Sequence, residues 1–156
     1  MSVESQQERP AATARQQWMA VLAKSDSDRL QQYWQGLALS PDYQFIRKPE
    51  IGLTMLRGRI GGGGQPFNMG EMTLTRCAVR LASGTLGISY VAGRHPQHAI
   101  TAALADALLQ EDTRQNLLQK QLIEPLQAEL EAGRQQRAAQ ANSTRVDFFT
   151  LVRGED

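Results

Sequence analysis

The sequence predicts an α+β fold, and three observations carry that reading. Apolar residues recur at helical spacing before residue 40, as in Leu30, Tyr33, Trp34 and Leu37 at i, i+3, i+4 and i+7. Between Tyr43 and Gly93 they alternate instead, punctuated by Gly61–Pro66 and Ser83-Gly84. After Pro96 the helical period returns. The expected order is N-terminal helices, an antiparallel β-meander, a helical segment and a C-terminal strand. The 156 residues suffice for one sizeable core, so residues 13–154 form a single domain behind a polar, flexible N-terminus at 1–12.

Residues 11–24 read as the first helix, with Trp18, Val21 and Leu22 on one side. Ser25-Asp26-Ser27-Asp28 interrupts it and supplies N-caps for the second helix. Both tryptophans belong to core or helix–helix packing. A first strand begins at Tyr43 and a second covers about 51–60, with Ile51, Leu53 and Met55 sharing a face. Gly61–Pro66 is a flexible connection, because four successive glycines suit neither a helix nor a central strand. In strand three, about 71–82, Cys77, Val79 and Leu81 face one way and Arg76, Ala78 and Arg80 the other. Ser83-Gly84 turns the chain into strand four, about 85–93, where Leu86, Ile88 and Tyr90 fall together.

Pro96 suits the first position of a helix, which makes His95 its N-cap, and Ile100, Ala103, Leu104, Ala107 and Leu108 form an amphipathic stripe. Residues 113–123 continue helically and Pro125 restarts the helix, with Leu118, Leu122, Leu126 and Leu130 along one side. The end of the chain, Thr144 to Arg153, is too apolar for a free terminus. Val146, Phe148, Phe149 and Leu151 there are partner-interface candidates, in a strand added to the sheet or a segment docked on a partner.

The formal net charge of +1 conceals a local split: residues 45–94 carry seven basic and two acidic groups, whereas residues 95–132 sum to −4. That asymmetry points to an anionic partner or a complementary protein interface. The basic residues are 14 Arg and 3 Lys, a bias that a GC-rich genome explains as well as anion binding does. No run approaches the ~20 apolar residues of a membrane-spanning helix. The polar start lacks the apolar core of a secretory signal, so a cytoplasmic location is expected.

Few motifs carry chemistry. Walker A requires Lys and Ser/Thr after its last glycine, but Gln65-Pro66 follows Gly64, and Pro66 likewise breaks a G-x-G-x-x-G pattern. The glycine run is therefore a hairpin loop, able to close over a ligand with Arg57 and Arg59 at its base. His95 and His98 have a spacing that suits two ligands of one metal, but a third ligand is not evident and Asp106 lies two turns on. No metal is expected. The start of the helix beside Arg94 suits an anion better, while the plainer reading leaves His95 as a cap and His98 in solvent. Arg76 and Arg80 share a strand face, where solvation and anion binding compete as explanations. Arg59, Arg76, Arg80, Arg94 and His95 are thus the anion-binding candidates. Cys77, the only cysteine, excludes an internal disulfide, faces the core and has no activating base beside it in sequence. There is no catalytic triad order, paired carboxylate motif or nucleic-acid module.

Several strings together resemble the PhnG family, the G subunit of the carbon–phosphorus lyase system of bacterial phosphonate breakdown. They include Thr13-Ala14-Arg15-Gln16-Gln17-Trp18-Met19, Tyr43-Gln44-Phe45-Ile46-Arg47 and Gly61-Gly62-Gly63-Gly64-Gln65-Pro66-Phe67. They continue through Thr73–Leu81, Gly93–Ala99 and Ser143–Gly154 in the family's order, spanning about 13–154. Two positions depart: relatives often have a small polar residue at Gly63 and alanine at Cys77. The resemblance implies a subunit that supports formation of α-D-ribose 1-methylphosphonate 5-triphosphate and adenine from ATP and methylphosphonate. The implied partners are the H, I, J and L subunits, with no nucleic acid and no membrane. The nucleosidase chemistry is attributed to I; the iron–sulfur cluster and S-adenosylmethionine belong to J. This chain then carries no cofactor and no catalytic residue of its own, and its C-terminal segment packs against I. The competing reading is a stand-alone phosphate-binding enzyme domain that uses Arg76, Arg80, Arg94 and His95.

Overall fold

A computed structural model of the chain describes residues 13–59, 61 and 63–146. Helix α1 (Ala14–Lys24) begins with a capping box. The Thr13 hydroxyl accepts the Gln16 amide, and the Gln16 side chain accepts the Thr13 amide. Asp26 caps α2 (Ser27–Gly36) by accepting the Arg29 amide. Ser25 instead closes α1, its hydroxyl donating to the Leu22 carbonyl.

Three strands follow, β1 (Tyr43–Arg59), β2 (Pro66–Leu81) and β3 (Leu86–Ala92), paired antiparallel in the order β1-β2-β3. The sequence suggests four strands, the first from Tyr43 and the second over about 51–60, with Lys48-Pro49 between them. The chain absorbs these two residues as irregular register between Phe45 and Glu50 within one long strand. Pro49 has no N–H to donate, and the outer strand β1 is where a sheet tolerates that. The turn into β3 uses Gly84 at φ +94°, with the Gly84 amide donating to Leu81.

One face of the sheet is covered by α3 (Pro96–Leu109), against which Cys77, Val79, Leu81 and Val91 are buried. On its other sides α3 meets α1, α2 and α4 (Asp112–Leu118). It is therefore buried nearly all round, at eleven of its 14 positions, rather than along the one stripe its periodicity suggests. Alanines make this central position possible. Gly87 of β3 lies so close that a Cβ there would collide with the Ala103 carbonyl and lie 2.8 Å from the Ala107 Cβ.

Pro125 does not restart the helix. A π-helical stretch, Gln119–Ile123, joins α4 directly to α5 (Glu124–Val146), and Glu124 N–H reaches back five residues to Gln119. The wider turn keeps Leu118, Leu122 and Leu126 buried on one side, with Leu130 packed against the core. Arg29 fastens α2 to α5, paired at 2.5 Å with Glu129, which also accepts the Tyr33 hydroxyl. The C-terminal strand is not found where the structure describes that region: Thr144–Val146 continue α5. Phe148, Phe149 and Leu151 lie outside the described residues. No described helix is long and apolar enough to cross a membrane.

Candidate functional site

Asp106, fully buried on α3, is hydrogen-bonded from α1 and β3. Its Oδ1 accepts Arg15 Nε at 3.2 Å and Trp18 Nε1 at 2.9 Å. Its Oδ2 accepts Arg15 Nη2 at 3.0 Å and the Ile88 amide at 3.0 Å. A buried carboxylate survives only when paired and hydrogen-bonded, and here α1, α3 and β3 all contribute. The carboxylate in turn raises the Arg15 pKa, first through these hydrogen bonds. The same contacts close the outer edge of β3, where Gln110 also donates to the Leu86 carbonyl at 2.7 Å. Arg15 and Trp18 lie one helical turn apart, which brings both to one carboxylate. Sequence reasoning weighed Asp106 only as a distant metal ligand. The available signal was one acid inside the apolar run Ala102–Leu109, where an unpaired charge is not tolerated.

His98 is buried rather than in solvent, at 3% exposure. Its Nε2 lies 2.7 Å from the Leu22 carbonyl and its Nδ1 2.7 Å from the Ser27 hydroxyl. A carbonyl only accepts, so Nε2 carries the proton and Ser27 donates to Nδ1. The pair resembles a nucleophile and base, but no carboxylate orients the ring and burial lowers its pKa, which suits a clamp between α1, α2 and α3. The Leu22 carbonyl and Asp26 oppose that lowering, whereas His95 adds to it.

This has a consequence for pH. The unfolded His98 takes up a proton near its ordinary value of 6.5, while the folded ring resists it. Its stabilising contribution is therefore complete above about pH 6.5 and is lost as pH falls through the lower folded value. Urea midpoints measured between about pH 7 and pH 5 should fall, and His98→Gln should flatten that fall. An unchanged slope in His98→Gln would remove His98 from the account.

The anion-binding candidates lie in three places. Arg76 and Arg80 stand on the sheet face away from α3, opposite Tyr90 and Leu86 of β3. Arg76 pairs with Glu50 at 3.4 Å, and Glu50 also meets Arg47 at 3.2 Å. The Arg76 Nε is buried without a hydrogen-bond partner. Arg59 ends β1, nine residues beyond Glu50 and so about 30 Å along the strand. Arg94 and His95 precede α3, both exposed. Thr75 places them, since its hydroxyl donates to Gly93 O at 2.6 Å and accepts the His95 amide at 3.1 Å. His95 holds the N-cap position without a side-chain capping bond.

Of these candidates only His95 borders a cleft of about 1110 Å³ between the α1–α2 turn, the start of α3 and α5. Lys24, Arg134 and Arg137 line it together with Asp26, Asp28 and Glu131, so it has no single sign of charge. Among the described residues no three His, Cys, Asp or Glu side chains converge as a metal site. Cys77 is fully buried and its thiol is pushed up to about 11 by desolvation, the condition of an inert packing thiol.

The strings singled out in the sequence thus acquire physical roles. Arg15 and Trp18 hold Asp106, Thr75 and Gly93 set the entry to α3, and His98 clamps α1 to α2. A protein of Rhizobium meliloti (strain 1021) shares 41% identity over 142 residues, 91% of this chain and 90% of that protein. It is named as the PhnG subunit of alpha-D-ribose 1-methylphosphonate 5-triphosphate synthase. The model of the family described as phosphonate metabolism protein PhnG matches from Thr13, the cap of α1, through residue 154, and the chain belongs to that family.

Proposed function

We propose that this chain is an accessory subunit of a synthase that converts ATP and methylphosphonate to α-D-ribose 1-methylphosphonate 5-triphosphate and adenine. The observation that carries this is the near full-length match to a protein named as a subunit of that synthase. In the reaction the bond from adenine to the ribose C1′ breaks and a phosphonate oxygen takes its place, so ATP enters as a substrate. The chain works with the H, I, J and L subunits, the nucleosidase step falling to I. The tail residues Phe148, Phe149 and Leu151 form one contact with I.

The shape of the chain fits this division of labour. Its buried polar groups are spent on packing, as at Asp106 and His98, while its arginines are spread over separate surfaces. Purified alone and given ATP and methylphosphonate, the chain should release no adenine above background. Co-expression with the other subunits should restore release, and omitting this chain from that mixture should abolish it. Turnover by the isolated chain would favour the enzyme-domain reading instead.

A further inference from the structure

β1 and β2 pair along their whole length, from Tyr43 opposite Leu81 to Arg59 opposite Pro66. β3 reaches only as far as Ala92 opposite Leu74, itself opposite Gly52. Beyond that point residues 53–59 and 66–73 continue as a two-stranded arm, about 23 Å long at the usual rise per residue. A lone two-stranded ribbon is marginal in water. This one is also apolar, with Leu53 69% exposed, Met69 66%, Met55 55%, and Leu56 and Phe67 each 43%.

Among the described residues, nine of the twelve exposed large hydrophobic residues lie on β1 and β2, so the exposure is concentrated in one hairpin rather than scattered. The pleat places Leu53 and Met55 on one face of the arm and Leu56 on the other, which suits enclosure in a groove better than rest on a flat surface. Met55 and Met69 supply flexible, polarisable contacts of the kind that adapt to another protein. Arg57 and Arg59 at the tip are exposed and form no ion pair with a described residue.

We propose that the β1–β2 arm inserts into an apolar groove with an acidic rim on another subunit of the synthase, with Leu53, Met55, Phe67 and Met69 as anchors and Arg57 and Arg59 at the rim. The inference rests on the subunit reading above and adds the surface through which the chain assembles. Charge selects the occupant. β1 and β2 carry six basic and two acidic residues, so a second copy would set one net-positive ribbon against another, whereas an acidic rim complements it.

The test is co-expression with affinity-tagged partner subunits, scored by the amount of this chain recovered with them. Wild type should co-purify, and Leu53→Glu/Met55→Glu should lower recovery about tenfold or more, as truncating interface anchors does. Because these side chains lie outside the core, the variant alone should keep the wild-type circular dichroism and melting temperature. Arg57→Glu/Arg59→Glu, which removes nothing buried, should also reduce recovery, and more strongly at low salt. Wild-type recovery from both variants would overturn the arm as the docking surface. A wild-type dimer that the Glu variants convert to monomer would assign the arm to a second copy and overturn it as well. If wild type itself fails to co-purify, the subunit reading fails first.

Discussion

Asp106→Ala is expected to lower the unfolding free energy by about 3–5 kcal/mol, measured by urea denaturation at neutral pH. The methyl group leaves the buried Trp18 Nε1 and the Ile88 amide without their acceptor, each costing about 1–3 kcal/mol. The Arg15 guanidinium loses its counter-charge but is 40% exposed, so water takes over much of that interaction. An ordering follows: Asp106→Ala should cost more than Arg15→Ala. Asp106→Asn falls between them and wild type, because its amide nitrogen must face one of the donors the carboxylate now accepts. A domain of ordinary stability, about 5–15 kcal/mol, would lose a large fraction through this one side chain. A change below about 1 kcal/mol in Asp106→Ala would show that the hub is dispensable.

Gly87→Ala is the second large effect, from the opposite cause. The added methyl would overlap the Ala103 carbonyl and lie 2.9 Å from the Ala107 backbone nitrogen, and backbone atoms of a buried helix cannot swing aside. Separating α3 from β3 to make room should cost about 1–3 kcal/mol or more. Gly52→Ala is the control within the same sheet, since nothing lies within 4 Å of the added Cβ, and it should change stability by no more than about 0.5 kcal/mol. Equal denaturation midpoints for the two variants would remove the close approach of α3 as a determinant of stability.

Both effects centre on α3, and the distant partners behind them could not be read along the chain. Its Ala-rich run announced a helix but suggested one buried stripe, because periodicity records the side a helix must hide and alanine is compatible with either environment. Some element starts were more legible than others: the first helix was expected from residue 11 but begins after its cap at Thr13, whereas the N-caps offered by Ser25–Asp28 and the turn at Ser83-Gly84 are found. Thr13 and Asp26 cap helices through side chains whose partners lie three residues on, and Gly84 supplies a turn that needs positive φ. The first two expected strands are one strand, and the helix does not restart at Pro125, for one reason. A local defect in hydrogen bonding predicts an end, but a bulge or a π turn accommodates it when packing on both sides favours continuity.

At the candidate sites the division is sharper. The sequence named Arg59, Arg76, Arg80, Arg94 and His95, and the fold distributes them over the arm, the open sheet face and the entry to α3. It also placed His98 in solvent, where the fold buries it between Leu22 and Ser27. By itself the sequence determined the succession of helices, antiparallel meander and helices, the buried row Cys77–Val79–Leu81 and the strings that mark the family, because each depends on neighbours a few residues apart. Only the tertiary structure decided that Arg15 and Trp18 meet Asp106 about 90 residues away, and that a helix covers one sheet face while the apolar arm is left open. Strand alternation says which side chains share a face; what lies above that face is set by contacts between distant segments, and no local period encodes them.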